Sequence, residues 1–541
     1  MKEIFNKRFF TQFTTIQLYL IAGNFLLVFF LIFLSNLGIL PIKKLSDFLF
    51  FTFLFLFFAL YRPGWAFLIF IGAIVLEDIS LAPVGIGISV RPYQFLGALV
   101  ILAILIRLVA KRLNFSLEKP KWYDFLVILI AASGFISALG SVNRVLSFKL
   151  SLVFASFAAL YLLIRNYIRD IADLKKIIPF FVSSSAVIVL YGIWQNIRFA
   201  LGLISYEVMP GRPNSTFTEA DWLGIYLVLL ISIIYAIIFY ARNKSVDAES
   251  KFKVQSAGRR TKLFFLYIFL VLSFTLLIIT VSRSTWLGVL AATLVFLFLI
   301  LTELKITPKN WRWKEFFWNS FGIFISGIIA ILMVYFFNLT SFQLFNRAQS
   351  TGTGLQKITI SCVPGFEAPE RISTVEQLEK FGCRHINLED IEAEIGKNNI
   401  VKEIYRDDPN INIRKEIYLK SWEQIKNNPI LGIGWGSIGT ILGADERGAN
   451  LNASNIFLEM WLGTGLLGIV AFLFLWIYIL FRNIAILIKA KDSDEYAFSI
   501  FIIVAWFGLT AVNLFNSGIM LGFLWLFMAI SLIERSGHST E

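Results

Sequence analysis

The sequence is poor in the residues that build most soluble sites and scaffolds. Only two cysteines and two histidines occur in 541 residues, and charged residues make up only 16%, against about 25% in an average soluble domain. So few cysteines and histidines exclude a disulfide-rich scaffold and argue against a zinc site. So little charge leaves too few polar side chains to cover several soluble domains. We expect neither a bound metal nor a cofactor.

Apolar residues dominate instead, at 57% of the chain with a mean hydropathy of +0.73. Apolar runs of roughly spanning length recur from end to end, so we predict an all-α polytopic membrane protein with about 12–14 transmembrane helices. The first run is too long for the core of a signal peptide and is interpreted as a span. The runs are 15–35, 46–61, 63–76, 92–106, 124–142, 150–164, 177–197, 222–241, 263–282, 284–302, 316–338, 456–481, 497–515 and 517–533.

Basic residues are unevenly distributed between alternate loops. If the N-terminus is cytoplasmic, the inside segments around 107–121, 165–176, 242–262 and 305–314 are rich in Lys and Arg, and the short outside loops are poor in them. Cytoplasmic loops normally carry this excess. We therefore predict that both termini are cytoplasmic and that a long segment, 339–451, is extracytoplasmic. The same bias accounts for the net charge of +13 without a nucleic-acid partner.

Four regions follow from this pattern. Residues 1–204 form N-terminal transmembrane helices, 205–338 form core transmembrane helices, 339–451 form the large loop, and 452–541 form C-terminal transmembrane helices. The loop alone has an ordinary globular composition. The alternating run QKITISCV predicts a strand there, and capping-box and glycine signals predict short helices. A small α/β subdomain is expected.

Both cysteines, Cys362 and Cys383, lie in this loop. An extracytoplasmic compartment permits disulfides, so we predict a Cys362–Cys383 bond. The alternative is a pair of unpaired structural thiols.

Two arginines stand out near the membrane boundary. Arg212 lies in the polar segment MPGRPNSTFTEADWLG, and Arg283 lies in TVSRSTWLG, between two spans with almost no loop. A guanidinium group is planar and permanently charged, which suits phosphate. One interpretation is therefore a phosphate or diphosphate clamp. The other is that these arginines snorkel and merely anchor helices.

Two further segments contain candidate residues. The run 413–439 predicts an amphipathic surface helix that starts near Arg414 and is followed by a flexible glycine turn containing Gly434, which could approach a ligand closely. In NASNIFLEMWLGTGLLG, Glu459 is an isolated carboxylate in an apolar helix, which is by default a functional-site hypothesis. Alternatively, Glu459 only pairs with Arg212 or Arg283.

These motifs occur in a familiar order. RPNSTFTEADWLG, SRSTWLG, NNPILGIGWGSIG and SNIFLEMWLGTGLLG, around one late large loop, resemble the O-antigen ligase and O-antigen polymerase superfamily of bacterial membrane glycosyltransferases. The resemblance covers about residues 205–482. It implies a metal-independent enzyme of the inner membrane. Such an enzyme moves glycan from a polyprenyl-diphosphate-linked donor to a glycan or lipid acceptor, among membrane lipids and without nucleic acid.

The resemblance also implies roles for individual residues. Arg283 and Arg212 would hold the diphosphate of the donor and act in catalysis. From their own positions in the sequence, Glu459 and Ser454 are added as candidate catalytic residues. The residues expected to bind substrate are Arg414, Asn455, Gly434 and Trp286.

One position departs from the family pattern. Ligases usually have a histidine just before the Asn-x-x-Leu stretch, proposed to activate the acceptor hydroxyl, and Ser454 stands there in this chain. Serine is not a base near neutral pH without help. Glu459 or His385 could substitute, and the departure favours a polymerase or another acceptor over a lipid A ligase. A transporter or flippase and a non-catalytic assembly protein are the alternatives from other classes.

Overall fold

Helices make up most of the structure. The computed structural model describes residues 14–86, 89–113, 116–243, 254–304, 308–340, 354–386, 391–443, 451–490 and 492–534. The helices of the first two thirds are α1 Thr14–Asn36, α2 Leu45–Tyr61, α3 Pro63–Ala73, α4 Pro92–Val109, α5 Trp122–Leu139, α6 Arg144–Tyr167, α7 Ile171–Ala200, α8 Ala220–Asn243, α9 Val254–Ile279, α10 Arg283–Thr302 and α11 Trp313–Phe336. The later helices are α12 Ile391–Gly396, α13 Pro409–Asn427, α14 Trp435–Leu442, α15 Ile456–Lys489, α16 Ser493–Asn513 and α17 Gly522–Ile530.

The predicted fold class is confirmed. In the described ranges, 11 helices are long and apolar enough to cross a membrane, and every predicted apolar run coincides with a helix. The predicted runs around residue 62 form two shorter helices, α2 and α3, because Pro63 starts a new helix at its first position. The last run gives only the nine-residue helix α17.

The central helices bring three helix ends to one end of the bundle. Helix α8 packs against α10 and α16, and α10 packs closely against α16. The close packing is possible because Gly288 of α10 lies against the carbonyl of Gly508 in α16, where a Cβ atom would be only 3.0 Å from that oxygen. As a result, the start of α8, the start of α10 and the end of α16 lie near one another.

A small α/β unit sits between α11 and α13. Its four-stranded sheet has the order β2-β4-β1-β3, with β1 Leu355–Cys362, β2 Arg371–Ile372, β3 Cys383–His385 and β4 Ile400–Asp407. Strand β1 is antiparallel to β3 and β4, and β2 is parallel to β4. Ile358, Ile360 and Ile404 form its core. The predicted strand QKITISCV is β1.

A disulfide and a buried carboxylate stabilise this unit. Cys362 and Cys383 are paired residues of β1 and β3, and a disulfide joins them. The buried carboxylate of Glu394 in α12 accepts hydrogen bonds from Lys397, Asn399 and Ser361, which lower its pKa to about 2. One of the short helices predicted in this loop is α12, and residues 387–390 before it lie outside the described residues.

Helix α13 is the predicted amphipathic helix, and it packs against α15. Its buried stripe is Ile417, Ser421 and Ile425, one turn apart, whereas Ile413 and Trp422 are exposed. Of the large apolar residues on this helix, Ile417 and Ile425 are therefore in the buried stripe, and Ile413 and Trp422 lie off it.

Two glycine turns interlock just beyond α13. The N–H of Ile433 donates to the carbonyl of Leu462 (2.8 Å), and the N–H of Leu466 donates to the carbonyl of Ile430 (3.0 Å). Gly465 interrupts α15 with φ 68° and ψ −170°, and a Cβ there would lie 2.1 Å from the oxygen of Ile430. The glycines thus let two backbones bond directly to each other.

Candidate functional site

Arg283 stands at the start of α10 and joins the helical bundle to the α/β unit. Its Nη1 donates to Oδ2 of Asp408, at 2.8 Å. Asp408 is almost completely buried at the junction of β4 and α13, and its N–H donates to the carbonyl of Gly354. An ion pair in this position fixes the guanidinium group at the boundary between the two parts.

Arg212 is buried in the segment that leads into α8. Its Nε donates to the carbonyl of Thr280 (3.0 Å), and its Nη2 lies 3.3 Å from Oδ1 of Asp221. Only 10% of its side chain is exposed, so Arg212 is held by protein groups and is not a snorkelling side chain at a lipid surface.

The two arginines meet the same short turn. Arg212 bonds the carbonyl of Thr280, and Arg283 follows three residues later at the start of α10. Arg414, in the first half of α13, lies close enough to Asp221 to interact with it electrostatically. Three arginines and two carboxylates are therefore gathered at one end of the bundle, which is an arrangement suited to an anionic ligand.

The start of α15 reaches this cluster through Tyr418, which lies one turn after Arg414. The hydroxyl of Tyr418 shares its one proton between the carbonyls of Ser454 (3.3 Å) and Leu514 (3.2 Å). Asn455 caps α15 by accepting from two backbone N–H groups, and its own amide also donates to the carbonyl of Leu514 (3.0 Å).

The loop after α16 completes the connection. Two residues beyond Leu514, the amide of Asn516 donates to Oγ of Ser284 (2.7 Å), next to Arg283. Ser454 and Asn455 are thus connected, through the loop that contains Leu514 and Asn516, to the residue next to Arg283.

Ser454 and Glu459 are held locally. Ser454 has a left-handed backbone (φ 48°), and its N–H and Oγ both donate to the side-chain oxygen of Asn452. Glu459 accepts from the N–H of Ala453 (3.2 Å), near the N-terminus of its own helix, where a negative charge is favoured. Within the described residues, no arginine lies at ion-pair distance from Glu459. The alternative of a purely structural pair with Arg212 or Arg283 therefore gains no support.

Two predicted substrate-binding residues are used for packing. The N–H of Gly434 donates to the carbonyl of Leu462, and a Cβ at Gly434 would be 3.0 Å from the side chains of Ser141 and Ser147. The indole of Trp286 donates to the carbonyl of Leu277 (3.1 Å). His385, the other candidate base, lies on strand β3 of the α/β unit, close to Arg406.

Sequence reasoning missed Asp408 and Tyr418. Asp408 is 125 positions from Arg283, so no local pattern connects them. Tyr418 had a weak signal, since it follows Arg414 by four positions and lies on the same face of one helix.

Comparison with known proteins identifies part of the chain. A family model described as O-antigen ligase matches residues 268–473. The match includes Arg283, the α/β unit, α13 and the start of α15, whereas Arg212 lies before it. No curated protein and no solved structure matched the chain. This match over residues 268–473 supports the assignment to the O-antigen ligase superfamily, whose members are membrane enzymes that transfer glycans.

Proposed function

We propose that the protein transfers or polymerises a glycan from a polyprenyl-diphosphate-linked donor at the extracytoplasmic face of the bacterial inner membrane. The observation that carries this proposal is the gathering of Arg212, Arg283 and Arg414 at one end of the bundle. The diphosphate of the donor would lie against the guanidinium groups, and its polyprenyl chain would remain in the bilayer.

The reaction is a displacement at the anomeric carbon. A hydroxyl oxygen of the acceptor forms the new bond to this carbon, the bond to the diphosphate oxygen breaks, and its electron pair remains on the diphosphate. Positive groups fixed beside the departing oxygen stabilise the charge that develops there. Asp221 and Asp408 orient the guanidinium groups, and no metal ion is required for this task. The proton of the acceptor passes to a carboxylate, for which Glu459 is the proposed base.

The membrane orientation can be tested with reporter fusions. We expect a reporter inserted after residue 395, in the α/β unit, to give an extracytoplasmic signal, and one inserted after residue 250 to give a cytoplasmic signal. Paired alkaline phosphatase and fluorescent-protein fusions at both positions provide the measurement. The proposal would be wrong about the face of the membrane if both sites reported the same compartment.

Base catalysis is expected to contribute less than the arginines. A positioned general base raises a reaction rate by about 10²–10⁴-fold. A displacement in which the leaving group has largely departed in the transition state needs little help from a base. We therefore expect Ser454→Ala and Glu459→Gln each to reduce transfer by about tenfold or less. Transfer from a purified polyprenyl-diphosphate-linked glycan in membranes is the assay.

Ser454→His is the matched control for folding. We expect it to fold normally, because histidine tolerates the left-handed backbone at this position better than most residues do. If Ser454→Ala were as inactive as Arg283→Ala, serine would have a direct role in the reaction.

A further inference from the structure

A polar cavity lies beside the arginine cluster, behind the segment that contains Arg212. Its volume is about 330 Å³, and its walls come from the end of α1, residues 78–79, α7 and residues 206–216. Of the described residues that line it, two are carboxylates, Asp78 and Glu207, and none is basic. Ionisable side chains in membrane-spanning segments are costly unless they are paired or solvated, and they often mark functional sites.

Glu207 lines the cavity, and nearby groups hold its carboxylate in place. Its Oε2 accepts from the N–H of Gly211 (2.9 Å) and from Ser205 (3.2 Å). Its Oε1 is buried, and the side chain of Asn196 also interacts with the carboxylate. Burial raises the pKa of the Glu207 carboxyl. Because a carboxylate has about four lone-pair sites, Glu207 can still accept a hydrogen bond from a ligand in the cavity.

Aromatic rings form a second wall. Tyr191 stacks on Trp194 (5.7 Å between ring centroids), and Trp194 stacks almost parallel on Tyr206 (6.0 Å, 9°). The guanidinium of Arg198 lies over both Trp194 and Tyr206. Tyr191 and Tyr206 line the cavity, and the hydroxyl of Tyr191 donates to Asn36, which is another lining residue.

The cavity is held open by buried contacts. The side chain of Gln195, which is completely buried, donates to the carbonyl of Tyr206 (3.0 Å) and accepts from the N–H of Ser215 (2.7 Å). Both of these wall residues have left-handed backbones, with φ 60° and 51°. Strained backbone of this kind persists only where the surroundings enforce it, and it concentrates at ligand sites.

We propose that this cavity binds a saccharide unit of the glycan substrate. Sugars present both hydroxyl donors and an apolar C–H face. The carboxylates of Asp78 and Glu207 would accept from the hydroxyls, and the rings of Tyr191 and Tyr206 would cover the C–H face. A phosphate group would fit this cavity less well, because the two carboxylates that line it would repel it.

The position of the cavity fits this assignment, which rests on the proposed function. Glu207 accepts from the N–H of Gly211, the residue immediately before Arg212. One short segment thus contributes a carboxylate to the cavity and a guanidinium to the cluster. A sugar in the cavity would be kept next to the diphosphate site.

The test measures saccharide and diphosphate binding separately on the solubilised full-length chain. The saccharide probe is the reducing oligosaccharide released by mild acid from lipid-linked glycans of native membranes, and the second probe is undecaprenyl diphosphate. We expect Glu207→Gln and Asp78→Asn to weaken saccharide binding at least fivefold and Tyr206→Ala at least tenfold, with undecaprenyl diphosphate binding unchanged. Asp47→Asn and Tyr61→Ala, exposed positions on α2, are the matched controls and should bind both probes normally.

The outcomes separate the two proposals. Saccharide binding that is absent in the unaltered protein, or that is unaffected by all three cavity variants, overturns the saccharide site. Loss of diphosphate binding alone in Arg283→Ala supports the proposed function, and failure of the unaltered chain to bind undecaprenyl diphosphate counts against that function without affecting the cavity result. In the transfer assay, a higher KM for the acceptor assigns the cavity to the acceptor glycan, and a higher KM for the donor assigns it to the donor sugar.

Discussion

Arg283→Ala is expected to reduce glycan transfer by about 10²–10³-fold, because removing one preorganised donor to a developing charge has effects of this size. Arg283 lies at the start of α10, beside the turn that also binds Arg212. The loss should appear mainly in kcat, since the leaving-group charge is greatest in the transition state. The measurement is initial rate against donor concentration in membranes that contain equal amounts of protein.

Two matched variants distinguish catalysis from structural support. Arg283 also binds Asp408 and so joins the bundle to the α/β unit. If this junction were its whole role, Asp408→Ala, which removes the acceptor, would be as inactive as Arg283→Ala. We expect Asp408→Ala to remain clearly more active than Arg283→Ala, because the guanidinium group stays at the start of α10. Arg283→Lys should remain poor, since a point charge cannot replace a two-pronged donor.

Gly465→Ala is expected to destabilise the protein by about 2–6 kcal/mol. Its φ and ψ lie in a region that only glycine occupies readily, which accounts for about 1–3 kcal/mol. The added methyl group would also lie 2.1 Å from the carbonyl oxygen of Ile430, and overpacking of this kind costs about 1–3 kcal/mol. Because the clash is with backbone, a side-chain rotation cannot relieve it.

Gly327→Ala provides the matched control. Gly327 lies in α11, and a Cβ there would meet no atom within 4 Å, so alanine should be neutral or slightly stabilising. The apparent Tm of both variants in detergent, followed by size-exclusion chromatography after heating, gives the comparison. Equal Tm values for the two variants would show that the interlocked turns do not support the fold.

Local sequence patterns were sufficient for the helices and for part of the α/β unit. Each apolar run became a helix because the bilayer requires every backbone group in it to be bonded within the segment. The strand QKITISCV became β1, since alternation along a strand is also a local property. The prediction for the glycines after α13 was only partly correct. Their conformational freedom was evident, but their partner is the backbone around Leu462 and Gly465, some thirty positions away.

The fold class, the presence of one unit of ordinary globular composition and the candidate arginines could all be predicted from local patterns, because hydropathy and residue chemistry are properties of neighbouring positions. The partners of those residues became evident only in the folded chain. Folding joined Arg283 to Asp408, Arg212 to the carbonyl of Thr280, and Tyr418 to the start of α15. It also placed Asp78 in one cavity with Glu207. These contacts depend on which helix ends meet at one end of the bundle. The packing of whole helices against one another determines this, and no short segment of the chain specifies that packing.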